Sequence, residues 1–240
     1  MSKEMIVRKS NSLIQKSRFS LSLQEQKIIL YIISKIKPFD TEFKECSFTV
    51  KEFCETCNID ISSGKNYDDI KNAIKNIADK SIWVNIEGAD VLLRWIEKAR
   101  IQDNIITIRI DDDMKPFLLE LNSNFTMYEL VWTLHFKSKY SIRLYELVKS
   151  IHYFELRPYS RIYTLEELKT LLGAENYDYS NFKLRVLDVA IKEINTVSDK
   201  IVSYKVVKRT KKKVDEIEIT VCSVDNLERL HRRIKLPGEE

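Results

Sequence analysis

The chain contains the same order of helical and strand-like segments twice. The first copy consists of FTVKEFCETCNI (48–59), YDDIKNAIKNIADKS (67–81) and IWVNI (82–86), and the second of YTLEELKTLLGA (163–174), FKLRVLDVAIKEINTVSD (182–199) and IVSYKV (201–206). In each copy a short helix is followed by a polar loop, a longer amphipathic helix and a β-ribbon. Helix, turn, helix and wing is the order of a winged helix, so the duplication predicts two such domains.

Capping signals mark the start of each copy. A threonine is followed three residues later by an acid, as Thr49 with Glu52 and as Thr164 with Glu167. This is the pattern of a capping box, in which side chains satisfy the free N–H groups of the first helical turn. The short helices are therefore predicted to begin directly after these threonines.

An apolar helix is predicted before each copy, at residues 23–37 and at residues 139–154. The first of these helices is again preceded by a capping-box pattern, Ser22 with Glu25. A winged helix needs such a helix to cover the back of the other two, which accounts for the wide apolar surface of both segments.

The first half has additional strand and helix signals. VLLRWIEKARI (91–101) and NIITIRI (104–110) predict strands, and DDMKPFLLEL (112–121) predicts a short helix. Together with the duplication, these pieces predict an α+β fold of two tandem winged-helix domains. The predicted domains are residues 1–125 and residues 126–240, joined around 122–138.

The second copy ends in an unusually basic ribbon, YKVVKRTKKKVDEIEITV (204–221). Apolar residues alternate with polar ones on both sides of its tip, which predicts two half-buried strands. The tip, residues 208–213, contains no acid, and its cations are Lys208, Arg209, Lys211, Lys212 and Lys213. Because the tip lacks an Asn-Gly or Asp-Gly pair, a longer and mobile loop is predicted. Such a run is either a solvated surface or an anion-binding surface.

The net charge of +4 is unevenly distributed. Acidic and basic side chains balance in residues 1–125, so the whole excess belongs to residues 126–240. An anionic partner is therefore expected to bind the second half most strongly. The sequence has no run of eighteen apolar residues and no secretory h-region, which predicts a soluble, cytoplasmic protein.

The two longer helices are the elements of this architecture that can enter a major groove of DNA. In the first, Ile70, Ala73, Ile74 and Ile77 form the predicted core stripe, and Lys71, Asn72 and Lys75 lie on other faces. Nearby aspartates leave a salt-bridged surface helix as an equal alternative. In the second, Leu187, Ala190, Ile191 and Ile194 are predicted to face the core, and Asn181, Lys183, Arg185 and Lys192 to face outward. This basic helix beside a basic ribbon predicts nucleic-acid binding by the second half.

The sequence lacks the motifs of a catalytic site. His135, His152 and His231 are isolated from one another, and Gly64-Lys65 lacks the first glycine of a P-loop. The acids 111–113 are interpreted as a helix start, and Cys54 and Cys57 as ordinary helix cysteines. A non-enzyme without metal or cofactor is predicted. The basic segment 231–240 is either a disordered tail, which is favoured, or an arm that contacts DNA.

Five segments resemble the initiator replication proteins of iteron-containing plasmids, over about residues 6–222. They are EQKIILYIISKIKP (25–38), GKNYDDIKNAIKNIADKSIWV (64–84), LLRWIEKARI (92–101), KSKYSIRLYELVKS (137–150) and FKLRVLDVAIKEIN (182–195). The chain departs from the family at Val189, where proline is frequent, and in the sparse charge of the first long helix.

The resemblance implies a function. Similar proteins bind directly repeated sites (iterons) at a replication origin as monomers, open the adjacent duplex, and recruit the host initiator, helicase and primase. Many also dimerise through the first winged helix and repress their own promoter at an inverted repeat. By position, the resemblance implies base readout by the second long helix and phosphate contacts by Lys139, Ser141 and the tip 208–213. Lys71, Asn72 and Lys75 would contact a neighbouring groove or lie in the dimer interface.

Two other functions fit parts of the sequence. A dedicated transcriptional repressor would have the same DNA-binding residues without starting replication. A rolling-circle nicking enzyme is less consistent with the chain, because that chemistry uses paired metal-binding histidines and the sequence has no His-x-His. The leading hypothesis is a sequence-specific double-stranded DNA-binding initiator of plasmid replication.

Overall fold

A computed structural model of the chain describes residues 5–18, 21–57, 66–152, 157–225, 228–229 and 231–232. The chain divides into two compact units, Met1–His135 (the first unit) and Phe136–Glu240 (the second unit). Each unit combines a group of helices with antiparallel strands. Two winged-helix domains in an α+β fold, as predicted, account for this organisation.

The first unit begins with β1 (Ile6–Ser10), α1 (Asn11–Lys16), β2 (Ser17–Arg18) and α2 (Leu23–Ser34). It continues with β3 (Cys46–Thr49), α3 (Val50–Thr56), α4 (Asn66–Asp79), β4 (Ser81–Ile86), β5 (Ala89–Arg94), β6 (Ile96–Gln102) and β7 (Ile105–Ile110). A 3₁₀ turn (Asp112–Met114), α5 (Lys115–Leu118), β8 (Phe125–Glu129) and α6 (Val131–Leu134) complete it. The segment 112–121, predicted as one helix, therefore holds two shorter pieces.

The second unit has the same plan with fewer strands. It consists of α7 (Lys139–Ile151), β9 (Tyr159–Thr164), α8 (Leu165–Leu172), α9 (Tyr179–Phe182), a π turn (Lys183–Leu187), α10 (Asp188–Val197), β10 (Lys200–Thr210) and β11 (Lys213–Ser223). Its sheet has the order β10-β11-β9. The first unit has the equivalent sheet, β6-β7-β3, in which β6 and β7 form the wing. The strand β9 was not predicted.

The equivalence of the two sheets corrects the match between the two sequence copies. The segment 82–86 was matched to 201–206, but the strand equivalent to β10 is β6. The hairpin of β4 and β5 is an insertion between the long helix α4 and the wing, and it forms a separate sheet with β2. Alternating apolar residues mark a strand in both places, so the pattern alone does not distinguish them.

The predicted single strand 91–101 is interrupted at Trp95. β5 pairs with β4 on one side of this residue, and β6 pairs with β7 on the other. The Trp95 side chain is fully buried, and its carbonyl accepts a hydrogen bond from the Asp111 N–H at 3.2 Å. The chain thus passes from one sheet to the next at a buried indole, and the prediction of one continuous strand was wrong.

The segment 122–138 is not a simple connection. Its strand β8 pairs antiparallel with β1, so that Val7 lies opposite Tyr128. Inside this ribbon, the Thr126 hydroxyl donates to Asn11 Oδ1 at 2.6 Å. The chain divides into its two compact units at 135/136, whereas the predicted boundary is at 125/126.

Only one of the three predicted capping boxes is complete. The Ser22 hydroxyl accepts from the Glu25 N–H at 3.3 Å, and the Glu25 carboxylate accepts from the Ser22 N–H at 2.8 Å. Thr49 and Thr164 each accept from the N–H three residues later, as predicted. At Thr49 the reciprocal hydrogen bond, from the Thr49 N–H to the Glu52 carboxylate, is not formed. The Glu52 carboxylate instead accepts from the Tyr31 hydroxyl at 2.6 Å.

Candidate nucleic-acid interface

The long helix of the second unit comprises α9, the π turn and α10. Asp178 begins it by accepting hydrogen bonds from the N–H and side-chain amide of Asn181, at 2.8 and 2.9 Å. One side of the helix is buried in the core, through Phe182, Val186, Leu187, Ala190 and Ile194. The opposite side is exposed and presents Lys183, Leu184, Arg185, Val189 and Lys192. The outward placement predicted for Lys183, Arg185 and Lys192 is thus observed, while Asn181 is half-buried.

The π turn changes which residues face the core. The Asp188 N–H donates to the Lys183 carbonyl, five residues earlier. A π turn has one more residue than an α-helical turn, so it rotates the preceding residues relative to those that follow. Ile191, predicted as core, is only half-buried, whereas Phe182 is fully buried. A single 3.6-residue period does not describe this helix.

An aspartate connects the long helix to the wing. Asp188 accepts from the Lys183 ammonium at 2.7 Å and from the Tyr204 hydroxyl, on β10, at 3.0 Å. The hydrogen bond from Lys183 to Asp188 raises the pKa of this lysine. Lys183 is thus paired within the protein, whereas Arg185 and Lys192 have no acidic partner among the residues that the structure describes.

The wing is an extended hairpin with a two-residue turn, so the prediction of a longer tip was wrong. Its strands run to Thr210 and Lys213, and only Lys211 and Lys212 form the turn, with Lys211 at φ 57°. Irregular pairing near Lys208 replaces the regular register there. The alternating apolar residues are placed as predicted, with Val202 opposite Val221 and Val206 opposite Ile217.

The cations of the tip differ in their surroundings. The Lys208 ammonium donates to the Glu216 carboxylate, across the hairpin, at 3.0 Å, and this hydrogen bond raises the pKa of the lysine. In the described part of the chain, the other four cations have no acidic partner: Arg209, Lys211, Lys212 and Lys213. The tip therefore presents a cluster of positive charges. Lys208 contributes less to it, because Glu216 offsets its charge.

The start of α7 matches the predicted phosphate contact only in part. Glu193 accepts hydrogen bonds from the N–H groups of Lys137 and Ser138, at 3.1 and 3.2 Å, so a carboxylate already occupies this helix terminus. The Lys139 ammonium lies 5.0 Å from the centre of the Tyr140 ring and is partly exposed. Ser141 has 0% exposure, so its side chain cannot reach a phosphate in this structure, contrary to expectation.

In the first unit, the long helix α4 packs through Ile70, Ala73, Ile74 and Ile77, all buried as predicted. Lys71, Asn72 and Lys75 are exposed. Lys75 lies 3.9 Å from the Asp79 carboxylate, so part of the salt-bridged surface considered as the alternative is present. The wing of this unit turns at Asp103 and Asn104 and carries no cluster of cations like that of the second unit.

The structure also places the buried cysteines and the acidic residues 111–113. Burial raises the pKa of the Cys57 thiol to about 12, and Cys54 is equally inaccessible. Asp112 is held by Arg109 and Lys115, at 3.0 and 3.2 Å. In the part of the chain that the structure describes, His, Cys, Asp and Glu side chains form no group of three that could hold a metal ion. Every helix within the described ranges is too short or too polar to cross a membrane.

Comparison with known proteins assigns the family. The model described as "Initiator Replication protein, WH1" matches residues 6–149, and the model described as "Initiator Rep protein, WH2" matches residues 164–221. The first match alone covers more than half of the chain. The chain belongs to the initiator replication protein family. The resemblance noted in the sequence is thereby confirmed.

Two relatives of this initiator family are informative. A replication initiation protein of Escherichia coli is 25% identical over 206 residues, which are 82% of this chain and 64% of that protein. The crystal structure of Pi initiator protein in complex with iteron DNA matches 94% of this chain and 100% of its own, with a TM-score of 0.76 and 18% identity. The chain thus spans about two thirds of the length of the curated relative and has the fold of the Pi initiator.

Three features of this candidate interface were not predicted from the sequence. Leu184 is exposed between two cations, Glu193 binds the N–H groups of Lys137 and Ser138 just before α7, and Tyr204 joins the wing to the long helix through Asp188. The alternation of apolar and polar residues on β10 is a sequence signal for the Tyr204 contact, because it places this residue on the side of the strand that faces the helix. The positions of Leu184 and Glu193 depend on packing and have no local sequence signal.

Proposed function

We propose that this protein is a replication initiator that binds double-stranded DNA at directly repeated origin sites. The observation that carries the proposal is the second unit, where the exposed cations of the long helix stand beside a wing whose tip lysines 211–213 have no acidic partner among the described residues. The family assignment supports the initiator role. The Pi initiator, which shares the fold, was crystallised with iteron DNA, and this supports repeated sites as the ligand.

Within this proposal, the long helix of the second unit reads bases in the major groove. Arg185 pairs with guanine through its planar guanidinium, and Lys192 contacts a guanine acceptor or phosphate. Asn181 lies at the N-terminal end of the helix, the end that winged-helix and related proteins direct at bases. Lys183 contributes after exchanging its partner Asp188 for DNA.

The wing and the start of α7 contact phosphates. Arg209, Lys211, Lys212 and Lys213 are all exposed at or next to the hairpin turn and supply affinity without reading sequence. Lys208 contributes less, because Glu216 already partners it. Lys139 contacts phosphate, whereas Ser141 is left out of the interface because it is buried.

The first unit has two roles in this proposal, a secondary DNA contact and dimerisation. Lys71, Asn72 and Lys75 on α4 supply the contact. The sheet of β2, β4 and β5 supplies the dimer surface, because its outer face carries Trp83 directly opposite Leu92, and both are about half exposed. The dimer represses the protein's own promoter at an inverted repeat, and the monomer starts replication with the host initiator, helicase and primase in the cytoplasm, where DNA is accessible.

The experiment that tests the function is a footprinting titration on the DNA flanking the protein's own gene, at two salt concentrations. We expect regular protection of tandem direct repeats that weakens steeply with salt, because phosphate contacts release counterions. Protection of a single inverted repeat only would support a dedicated repressor instead. A plasmid that carries the repeats and replicates only when this protein is supplied would separate initiation from repression.

Arg185→Glu tests the assignment of the base-reading helix. We expect this charge reversal to abolish protection of the repeats, because it places a carboxylate against the guanine acceptors. Lys44→Glu is the matched control, since it makes the same charge change on the loop after α2, where Lys44 pairs with Asp40. Normal repeat binding by Arg185→Glu would show that another element reads the bases.

A further inference from the structure

Leu184 is the most exposed apolar side chain on the long helix of the second unit. It is 64% exposed and lies between Lys183 and Arg185, on the side away from the buried Phe182 and Val186. Val189, the next exposed apolar residue, follows five positions later. A π turn closes its hydrogen bond over five residues, so Leu184 and Val189 lie on the same side of the helix.

The π turn is what directs Leu184 outward. In an uninterrupted α-helix, residues seven apart lie on one face. Leu184 would then lie on the same face as Ile191, which is half-buried at the border of the core. The additional residue of the π turn rotates Phe182 into the core and Leu184 away from it. Single exposed leucines are common on protein surfaces, so the exposure alone carries little weight. A rare backbone turn that exposes a leucine between cations is a stronger indication of function.

We propose that Leu184 reads the 5-methyl group of a thymine in the major groove and so sets part of the site specificity. Apolar side chains distinguish thymine by contact with this methyl group, which no other base of unmodified DNA carries there. The neighbouring Arg185 supplies the hydrogen bonds to guanine, so the contacted thymine lies within a few base pairs of that guanine. The inference rests on the proposed function, since it requires the long helix to enter the groove.

The test replaces each thymine of one protected repeat in turn with deoxyuridine, which lacks only the 5-methyl group. The affinity of the full-length wild-type chain falls about fourfold at one or two positions, the effect of burying a single methyl group. Leu184→Ala binds the unmodified repeat about fourfold to tenfold more weakly than the wild type. It also no longer distinguishes thymine from uracil at those positions, because the side chain that contacts the methyl group is absent.

Two further variants control the experiment. Leu184→Met retains an apolar side chain of similar size and keeps the preference for thymine. Ile162→Ala shortens an exposed aliphatic side chain on β9 of the same unit and behaves as the wild type in every assay. Because Leu184 points to solvent, Leu184→Ala leaves the thermal unfolding midpoint unchanged, and a lowered midpoint would contradict the outward placement.

The outcomes separate the inference from the proposed function. A wild-type chain that protects no repeats overturns both. A wild-type chain that binds repeats, together with a Leu184→Ala variant that keeps full affinity or still senses uracil, overturns the role of Leu184 alone. Loss of uracil discrimination in Leu184→Ala, with its retention in Leu184→Met and Ile162→Ala, supports the methyl contact.

Discussion

Asp199 is a carboxylate buried where the long helix of the second unit leads into the wing. It accepts hydrogen bonds from the Tyr145 hydroxyl at 2.8 Å and from the Lys149 ammonium at 3.0 Å. The adjacent Lys200 is fully buried and donates to the Ser223 hydroxyl at 2.6 Å. Burial alone would raise the pKa of Asp199, but Lys149, Lys200 and Tyr145 outweigh it and hold the pKa below its usual value.

The lowered pKa predicts a pH-dependent contribution to stability. An aspartate has a pKa of about 3.9 in an unfolded chain. Because the folded-state value is lower, the carboxylate stabilises the second unit above about pH 4, and this contribution is lost as the pH falls through the folded-state pKa. We expect Asp199→Asn to lower the free energy of unfolding at pH 7 by about 3 kcal/mol, since it leaves buried ammonium groups without a counter-charge. The difference from the wild type should shrink below about pH 4.

Hydrogen exchange of the β10 and β11 amides reports the stability of the second unit specifically. It is measured at pH 7 and below pH 4, with correction for intrinsic exchange. The tryptophans Trp83, Trp95 and Trp132 all lie in the first unit, so their fluorescence during denaturation is an internal control that should not change. Asp79→Asn removes an exposed partner of Lys75 and should have little effect. If Asp199→Asn lowered the free energy of unfolding equally at both pH values, the assigned charge state of Asp199 would be contradicted.

Capping illustrates how far single residues can be predicted. Thr49 and Thr164 were predicted to cap their helices, and they do, because this bond joins residues only three apart. The acid half of a box is less predictable, since the long carboxylate side chain can also reach donors elsewhere in the fold. For Glu52 such a donor is the Tyr31 hydroxyl, which the fold brings from another helix. The local sequence predicts the hydrogen bond between residues three apart. It contains no information about a competing donor that the fold brings from elsewhere in the chain.

At the scale of elements, the sequence predicts helices better than strand pairing. The core stripe of α4 follows the 3.6-residue period and was predicted completely. In the second unit the same period fails at the π turn, because its additional residue changes which residues face the core. The break at Trp95 and the pairing of β6 with β7 also depend on which sheet offers a partner. Alternation identifies a strand and gives no information about its neighbour.

The wing can be tested as an element by removing its charge. We expect the triple variant Lys211→Gln, Lys212→Gln and Lys213→Gln to bind specific and non-specific DNA more weakly by similar factors, because phosphate contacts carry no sequence information. The slope of the logarithm of the binding constant against the logarithm of salt concentration should decrease by about 0.9 for each lost phosphate contact. Fluorescence anisotropy between about 50 and 200 mM salt measures both quantities.

Lys208→Gln is the matched control for the wing. This lysine lies on the same hairpin but is already paired with Glu216, so its replacement should change the salt slope less than replacement of Lys212. A triple variant with an unchanged slope would show that the wing does not contact phosphates. A loss of affinity for the specific repeats alone would indicate that the tip reads bases.

At the scale of the whole molecule, the two units share one topology but differ in what surrounds it. The first unit adds a ribbon of β1 and β8, whose strands 6–10 and 125–129 lie far apart in the sequence. It also adds the sheet of β2, β4 and β5. Neither addition follows from the duplication, because a repeat predicts only what both copies contain. The second unit lacks both additions within the described residues and has the basic wing instead.

In the proposed function, dimerisation and iteron binding use separate surfaces, and the inserted sheet of the first unit permits a direct test. One face of the sheet is buried through Ile82, Val84 and Leu93. The other face exposes Trp83 (48%) on β4 and Leu92 (52%) on the edge strand β5. An exposed apolar edge of this kind favours association with another chain. We expect Leu92→Lys to weaken dimerisation at least tenfold, because it places a charge in the apolar contact, and to abolish binding to the inverted repeat.

Binding to direct repeats should persist in Leu92→Lys, since in the proposed function each monomer reads its site with its own two winged helices. Sedimentation equilibrium measures the dimerisation, and footprints on the two classes of site measure the binding. Ile162→Lys, which makes the same change on an exposed strand of the second unit, should leave the dimer intact. Loss of direct-repeat binding together with the dimer would mean that a dimer is the active initiator, and the two surfaces would then act as one.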